Sequence, residues 1–194
     1  KRADSIVKNM LAHSRTGTGE KQETDLNALC DEFLALAYHG KRATNRNFNC
    51  AMEKHFDPNL PKVKLVGQDV SRVLLNLFNN AFDAVYDKQQ KLLTENQTEP
   101  KYQPTISVST FCFYNVVNIK VHDNGSGIPE TLKQKVFEPF FTTKRTGEGT
   151  GLGLSISLDI VKANGGEMKV NSKQGEYTEF VISFPLDQNK ITNQ

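Results

Sequence analysis

The sequence predicts an α+β fold, a mixed β-sheet with helices packed on one face. Three observations carry that prediction. Apolar residues recur at helical spacing in three stretches: Leu26 to Ala37, Val70 to Val85 and Leu154 to Val161. Two pairs of strand-like runs, in 106–121 and 168–184, read as β-hairpins. The order runs from a helical pair to mixed strands and helices, with the hairpins late.

Taken in order, Ile6, Val7, Met10 and Leu11 form the stripe of a short N-terminal helix over residues 1–13. Arg15-Thr16-Gly17-Thr18-Gly19-Glu20 breaks it as a polar linker. Thr24-Asp25 offers an N-cap, and Leu26, Leu29, Phe33, Leu34 and Ala37 follow at helical spacing up to His39-Gly40. Phe48, Cys50 and Met52 alternate with polar residues as a half-buried strand would. Pro58 and Pro61 bracket a turn, and Val63 with Leu65 suggests a short strand. Gly67-Gln68-Asp69 starts a helix whose apolar face runs from Val70 to Val85. Residues 88–104 are polar, with Pro100 and Pro104, and read as a helix tail fading into a mobile loop.

Ile106-Val108-Thr110-Cys112 and Val117-Ile119-Val121 flank Tyr114-Asn115, the simplest reading being a β-hairpin. A short helix is expected after Pro129, which suits a first helical turn. Residues 138–150 lack periodicity. Thr150 to Ala163 reads as a helix ended by Asn164-Gly165-Gly166. Met168-Val170 and Phe180-Ile182-Phe184 form a second hairpin turning near Gly175, and the tail from Asp187 is polar.

The 194 residues suffice for one good-sized domain, or one domain plus an appendage. With 24 basic and 22 acidic side chains intermixed, there is no electrostatic case for nucleic acid or a membrane surface as partner. Cys30, Cys50 and Cys112 are odd in number and unpaired in spacing, which argues against a disulfide framework or zinc site. A reducing compartment fits, and all three read as small buried side chains. No run approaches the roughly 20 apolar residues of a membrane span. The chain does not begin with Met and starts inside a helical pattern, so it reads as a piece of a longer protein.

Four short segments carry chemistry. Asn76 and Asn80, four apart, share one face of a half-apolar helix. Asparagine is a poor helix former, so three of them in five positions (76, 79, 80) need a reason. An amide oxygen is a hard neutral ligand that suits Mg²⁺ when phosphates supply the charge. Asp123 ends a strand and enters Asn124-Gly125-Ser126-Gly127-Ile128, where a carboxylate can accept from an exocyclic amine such as that of adenine. Gly125 and Gly127 let the backbone approach a ligand; a plain strand-to-loop turn would use the same residues. Glycines 147, 149, 151 and 153 directly precede a helix, whose free N–H groups make an anion site. No Gly-Lys-Ser/Thr ends this run and no strand precedes it, so it is neither a Walker A loop nor a dinucleotide fingerprint. Phe137, Phe140 and Phe141 would anchor the base of a loop from Thr142 to Thr150 that can close over a nucleotide. Lys144 reads equally as a point charge reaching a phosphate and as a solvated loop lysine.

With these segments in order, the chain resembles the catalytic, ATP-binding domain of two-component sensor histidine kinases. That group shares a class with gyrase, the Hsp90 chaperones and the MutL mismatch-repair proteins. The likeness covers roughly residues 48–186. Leu75 to Ala81 looks like the N box, Asp123 to Ile128 the G1 box, Phe137 to Phe141 the F box and Gly149 to Leu154 the G2 box. The resemblance implies a two-layer α/β sandwich of the Bergerat type, with a mixed, mostly antiparallel sheet. It divides the chain into 1–24 (end of the second helix of a dimerisation hairpin, plus linker), 25–187 (ATP-binding domain) and 188–194 (polar tail).

It also implies roles. ATP and Mg²⁺ are the expected cofactors, Asn76 and Asn80 the candidate catalytic residues, and Asn80 the Mg²⁺ ligand with Asn76 facing the phosphates. Asp123 would bond the adenine amine, Gly127 and Ile128 would line the base pocket beside Gly125, and Thr178 would support adenine through water. The backbone of Gly149, Thr150, Gly151, Leu152, Gly153 and Leu154 would cradle phosphate. Asp83, Phe141, Thr142 and Lys144 complete the expected nucleotide contacts.

One position separates subgroups. Where the gyrase, chaperone and mismatch-repair relatives hold a water-activating Glu, this sequence has Asn76, and an amide cannot act as a general base. ATP should therefore be hydrolysed slowly and its γ-phosphoryl kept for a protein histidine. The alternative is a nucleotide-gated, chaperone-like ATPase module that dimerises on ATP. No segment resembles the family's phosphoacceptor box. His13 reads as a surface helix residue, and His39, His55 and His122 as structural, so the chain alone should not autophosphorylate. Expected partners are its own dimerisation and phosphoacceptor hairpin and a downstream response-regulator receiver domain. The expected location is the cytoplasm, in a parent protein that can be membrane-anchored.

Overall fold

Five strands form one sheet in the spatial order 51–56, 105–113, 116–123, 177–185 and 167–173, and only the first neighbouring pair is parallel. The computed structural model describes residues 19–95, 102–144 and 149–186. The expected helix over 1–13, most of the linker after it and the tail 188–194 lie outside the described residues.

The strands are β1 (Gln22–Thr24), β2 (Ala51–Phe56), β3 (Val63–Leu65), β4 (Thr105–Phe113), β5 (Val116–Asp123), β6 (Glu167–Lys173) and β7 (Tyr177–Pro185). The helices are α1 (Leu26–Thr44), α2 (Gly67–Thr94) and α3 (Gly153–Ala163). Along β5, Val117, Ile119, Val121 and Asp123 are buried while the residues between them are not, the period of a sheet covered on one face. The helices cover that face, with Phe78 and Phe82 of α2 fully buried among Ile106, Ile119, Ile182 and Phe184 of the sheet. The open face is polar: Lys120 pairs with Glu179 at 3.1 Å and Ser183 Oγ donates to Asn118 Oδ1 at 2.7 Å. The expected mixed, mostly antiparallel sheet with helices on one face is therefore the fold.

Particular elements depart from expectation. Helix α1 is capped as foreseen, Asp25 Oδ1 accepting from the Ala28 N–H at 3.0 Å. It runs through Gly40 to Thr44, however. An exposed Gly costs a helix only about 1 kcal/mol, and Lys41 anchors the extra turn on α2 through Asp83 (2.7 Å) and the Tyr86 ring (4.3 Å to its centroid). Phe48 and Cys50 are buried, yet β2 begins only at Ala51 because its partner β4 begins at Thr105. Gln22–Thr24, read as linker and cap, pairs antiparallel with Val63–Leu65 in a separate two-stranded clasp.

The β4–β5 hairpin turns on Tyr114 (φ 46°) and Asn115 (φ 61°), both left-handed as a tight primed turn requires. Past Pro129 two 3₁₀ turns, Glu130–Leu132 and Lys135–Phe137, stand where one short helix was expected. Only Val136 in them is buried, too little apolar surface to sustain an α-helix. Helix α3 starts at Gly153 rather than Thr150, because Gly151 at φ 68° is outside helical space. Its C-terminus closes with Gly166 N–H on Val161 O and Gly165 N–H on Lys162 O, both 2.9 Å.

Candidate functional site

A cavity of about 590 Å³ opens between α2, the ends of β5 and β7, and the segment leading into α3. Asn76, Asn80 and Asp83 line it from one face of α2, as the i, i+4, i+7 spacing dictates. Asp123 and Thr178, paired in the sheet register, close the far end. Gly127, Ile128, Phe141, Thr142, Lys144, Gly149, Thr150, Gly151, Gly153 and Leu154 complete the expected lining. Two expected residues stand apart. Gly125 lies behind Asp123, its N–H donating to Asp123 Oδ1 at 2.9 Å, and Leu152 is the N-cap of α3.

Asp123 is 4% exposed. Burial pushes its carboxyl up to about 7, against the opposing effects of the Gly125 N–H, the Lys88 charge and the Thr178 backbone. Thr178 is also buried, and its hydroxyl is 3.2 Å from Ser172 Oγ, which accepts from the Ile128 N–H at 2.8 Å. Base-sized space here is walled by Ile128, Val136 and Phe180.

The amides of α2 differ in their commitments. Asn76 Nδ2 donates to Ser157 Oγ on α3 at 3.0 Å, and its Oδ1 lies against Gly153, where an added Cβ would come within 2.3 Å. Asn76 thus ties α2 to the start of α3 while bordering the cavity. Asn80, one turn on, has no side-chain hydrogen bond among the described residues and stays partly exposed toward the cavity. Asp83 is bound by Lys41 and by Lys144 across the cavity. Burial alone would push its carboxyl up; the bonds and charges of the two lysines outweigh that and hold it below the usual carboxylate range.

The donors present fit a nucleotide with a divalent ion. Helix α3 opens with no side-chain cap on its first turn, leaving N–H groups for an anion. A Cβ on Gly151 would fall 2.3 Å from the Phe140 carbonyl carbon, so the backbone comes as near as only glycine allows. No cluster of three or more His, Cys, Asp or Glu side chains could hold a metal among the described residues. An ion at Asn80 would therefore take most of its oxygens from phosphate and water, as Mg²⁺ does.

Sequence reasoning missed Ala81, Ala84, Asp87, Ser126 and Pro129 as lining residues. The helical stripe through Asn76 and Asn80, extended by three and four, would have found Ala84 and Asp87. No helix among the described residues is long and apolar enough to cross a membrane.

Compared with known proteins, residues 66–188 match the family described as histidine kinase-, DNA gyrase B- and HSP90-like ATPase. The chain is 34% identical over 185 residues to the sensor kinase CckA of Brucella abortus, covering 95% of this chain and 19% of that protein. It is 31% identical over 189 residues to the sensor protein FixL of Bradyrhizobium diazoefficiens, covering 97% and 34% respectively. The chain thus corresponds to a minor part of each. Among solved structures, the nucleotide-free catalytic domain of histidine kinase ThkA is similar with a TM-score of 0.66 and 30% identity, covering 86% of this chain and 95% of that one. The family match takes in every wall of the cavity and more than half of the sequence: the chain belongs to the histidine kinase-, DNA gyrase B- and HSP90-like ATPase family.

Proposed function

We propose that this chain is the ATP- and Mg²⁺-binding catalytic domain of a sensor histidine kinase, passing the γ-phosphoryl of ATP to a histidine on a dimerisation hairpin. The observation that carries the reading is Asn76. It occupies the α2 position that borders both the cavity and the start of α3, and it brings an amide there. With an amide rather than a carboxylate at this position to draw a proton from water, ATP is kept for transfer. Mg²⁺, when bound, would neutralise phosphate charge and orient the phosphates.

In this reading Asp123 accepts from the adenine amine, with Gly127, Ile128 and Thr178 shaping the base site. The N–H groups from Gly149 to Leu154 take phosphate. Asn80 offers its free amide oxygen to the metal, and Lys144 exchanges Asp83 for a phosphate. Asp83, Phe141 and Thr142 border the same path. Residues 25–187 form the catalytic domain and 1–24 the end of the second helix of the dimerisation hairpin plus linker, with β1 in that linker paired on β3. A receiver domain of a response regulator takes the phosphoryl next, in the cytoplasm. The similarity to proteins named sensor kinases, and to a histidine kinase catalytic domain, supports this reading.

The test is to mix the chain with a dimerisation hairpin bearing its phosphoacceptor histidine and γ-labelled ATP. Acid-labile phosphate on the hairpin is expected, with slow release of free phosphate by the chain alone. Brisk steady-state hydrolysis by the chain alone would overturn it.

A further inference from the structure

Lys88 lies on α2 two turns beyond Asn80 and does not line the cavity. Its ammonium donates to Asn124 O at 2.8 Å, Gly125 O at 3.1 Å and Gly175 O at 2.9 Å. A lysine has three donors and no acceptor, so this set uses them all. Two of the carbonyls belong to the residues directly after Asp123, and the third to the tip of the β6–β7 turn. Tyr102 packs beside the ammonium, 4.9 Å from ring centroid to Nζ, and its hydroxyl donates to Asn124 O at 3.1 Å. The Gly175 N–H in turn donates to Ser126 O at 2.7 Å. A half-exposed cation thus stands against the loop that presents Asp123.

We propose that Lys88 is a positioning residue for base recognition, knitting the loop after β5 to the β6–β7 turn and so fixing the carboxylate that meets the base. The proposal rests on the reading of this cavity as an ATP site. The geometry gives Lys88 two effects. It satisfies three carbonyls that would otherwise crowd together with their negative ends inward. It also places a positive charge behind Asp123, favouring the ionised carboxylate that an amine donor needs. Other titratable groups around this pair are Tyr102 and Cys50 beside Asp123, and Glu176 beside Lys88, the last paired with the exposed Lys173 at 2.5 Å. That further cation, Lys173, is committed to Glu176 in solvent, and Lys88 is the charge that acts on Asp123.

The experiment is calorimetric titration of the chain with a non-hydrolysable ATP analogue and the matching GTP analogue, from about pH 5.5 to 8.5. Wild type is compared with Lys88→Met and Lys88→Arg, each first shown to melt cooperatively. In Lys88→Met, ATP-analogue affinity is expected to fall about tenfold at neutral pH. The pH at half-maximal affinity should rise by roughly one unit, as for loss of a neighbouring opposite charge, and preference over the GTP analogue should shrink. Lys88→Arg keeps the charge and should keep the wild-type midpoint. A folded Lys88→Met with unchanged midpoint and unchanged base preference would overturn the proposal. If Lys88→Met does not fold, Lys88→Gln takes its place with the same expectations. Failure of wild type to bind the ATP analogue would instead sink the ATP reading itself.

Discussion

The two ends of the cavity are built in opposite ways. At the sheet end the polar groups hold one another. Asp123 accepts from Gly125, Ser172 bridges Ile128 and Tyr177, and the loop backbone is fastened from behind by Lys88. At the helix end Asn76 and Asp83 are bound, but α3 begins without a side-chain cap and the Asn80 amide has no partner among the described residues. The contrast teaches where selectivity and charge each come from. In the proposed reading a flat base would be read by shape and by one fixed acceptor, which suits a prearranged end. Phosphates and metal would bring their own charge in that reading, which suits an end with open groups.

The largest test of this contrast is Asp123→Asn. The carboxyl titrates near 7 in the fold against 3.8 for the free group, so between those values the folded chain holds a proton that the unfolded chain has lost. Its contribution to stability is full below about pH 4 and is lost as the pH rises through about 7. Urea titrations should show the asparagine form gaining on wild type by up to about 4 kcal/mol between those limits. A pH-independent difference would refute the buried proton. The same substitution should weaken ATP-analogue binding by between about ten- and 100-fold.

Gly127→Ala strikes the prearranged end next. At φ 66° a Cβ would lie 2.1 Å from Lys173 O, backbone that cannot swing aside. A loss of about 3 kcal/mol or more in thermal or chemical unfolding is expected; a variant as stable as wild type would mean the loop is not clamped. Asn80→Ala probes the open end. Stability should barely change, while nucleotide affinity loses its response to Mg²⁺, worth about tenfold. Retained Mg²⁺ dependence in calorimetry would remove Asn80 as ligand. Smallest is Asp83→Asn, which cuts both lysine pairs at a partly exposed site, for less than about 1 kcal/mol. Because the Asp83 carboxyl is held below its ordinary value, that loss should appear above about pH 4 and vanish in acid.

Much of this was legible from local pattern. The alternation in 105–123 and 177–185 and the stripe in 70–85 depend on burial of one face, which a sequence displays directly. Asn76, Asn80 and Asp123 were legible because each breaks a local rule: poor helix formers within a helix, a charge at the end of an apolar strand. What the pattern concealed depends on distant partners. Gln22-Glu23-Thr24 carries no apolar signal and becomes a strand only because Val63–Leu65 offers an edge. Gly40 looked like a stop and was overridden by Lys41 on Asp83. Lys88 sat in a stretch read as a fading tail, and nothing nearby in sequence announces the three carbonyls it meets.

That small clasp of β1 on β3 has a mechanical consequence. Gly19 packs against Val66, where an added Cβ would meet Cγ1 at 2.6 Å, and the Val66 N–H donates to Asn164 Oδ1 at 3.0 Å, just beyond the end of α3. The clasp therefore meets two elements at one point, the root of α2 and the far end of α3. Both elements reach the cavity, where Asn76 and Ser157 join them. A shift of α2 against α3 would alter the gap between Asn80 and the first turn of α3, and because Lys88 rides on α2 it would also reach the loop after Asp123. Through α2 the clasp is joined to both ends of the cavity.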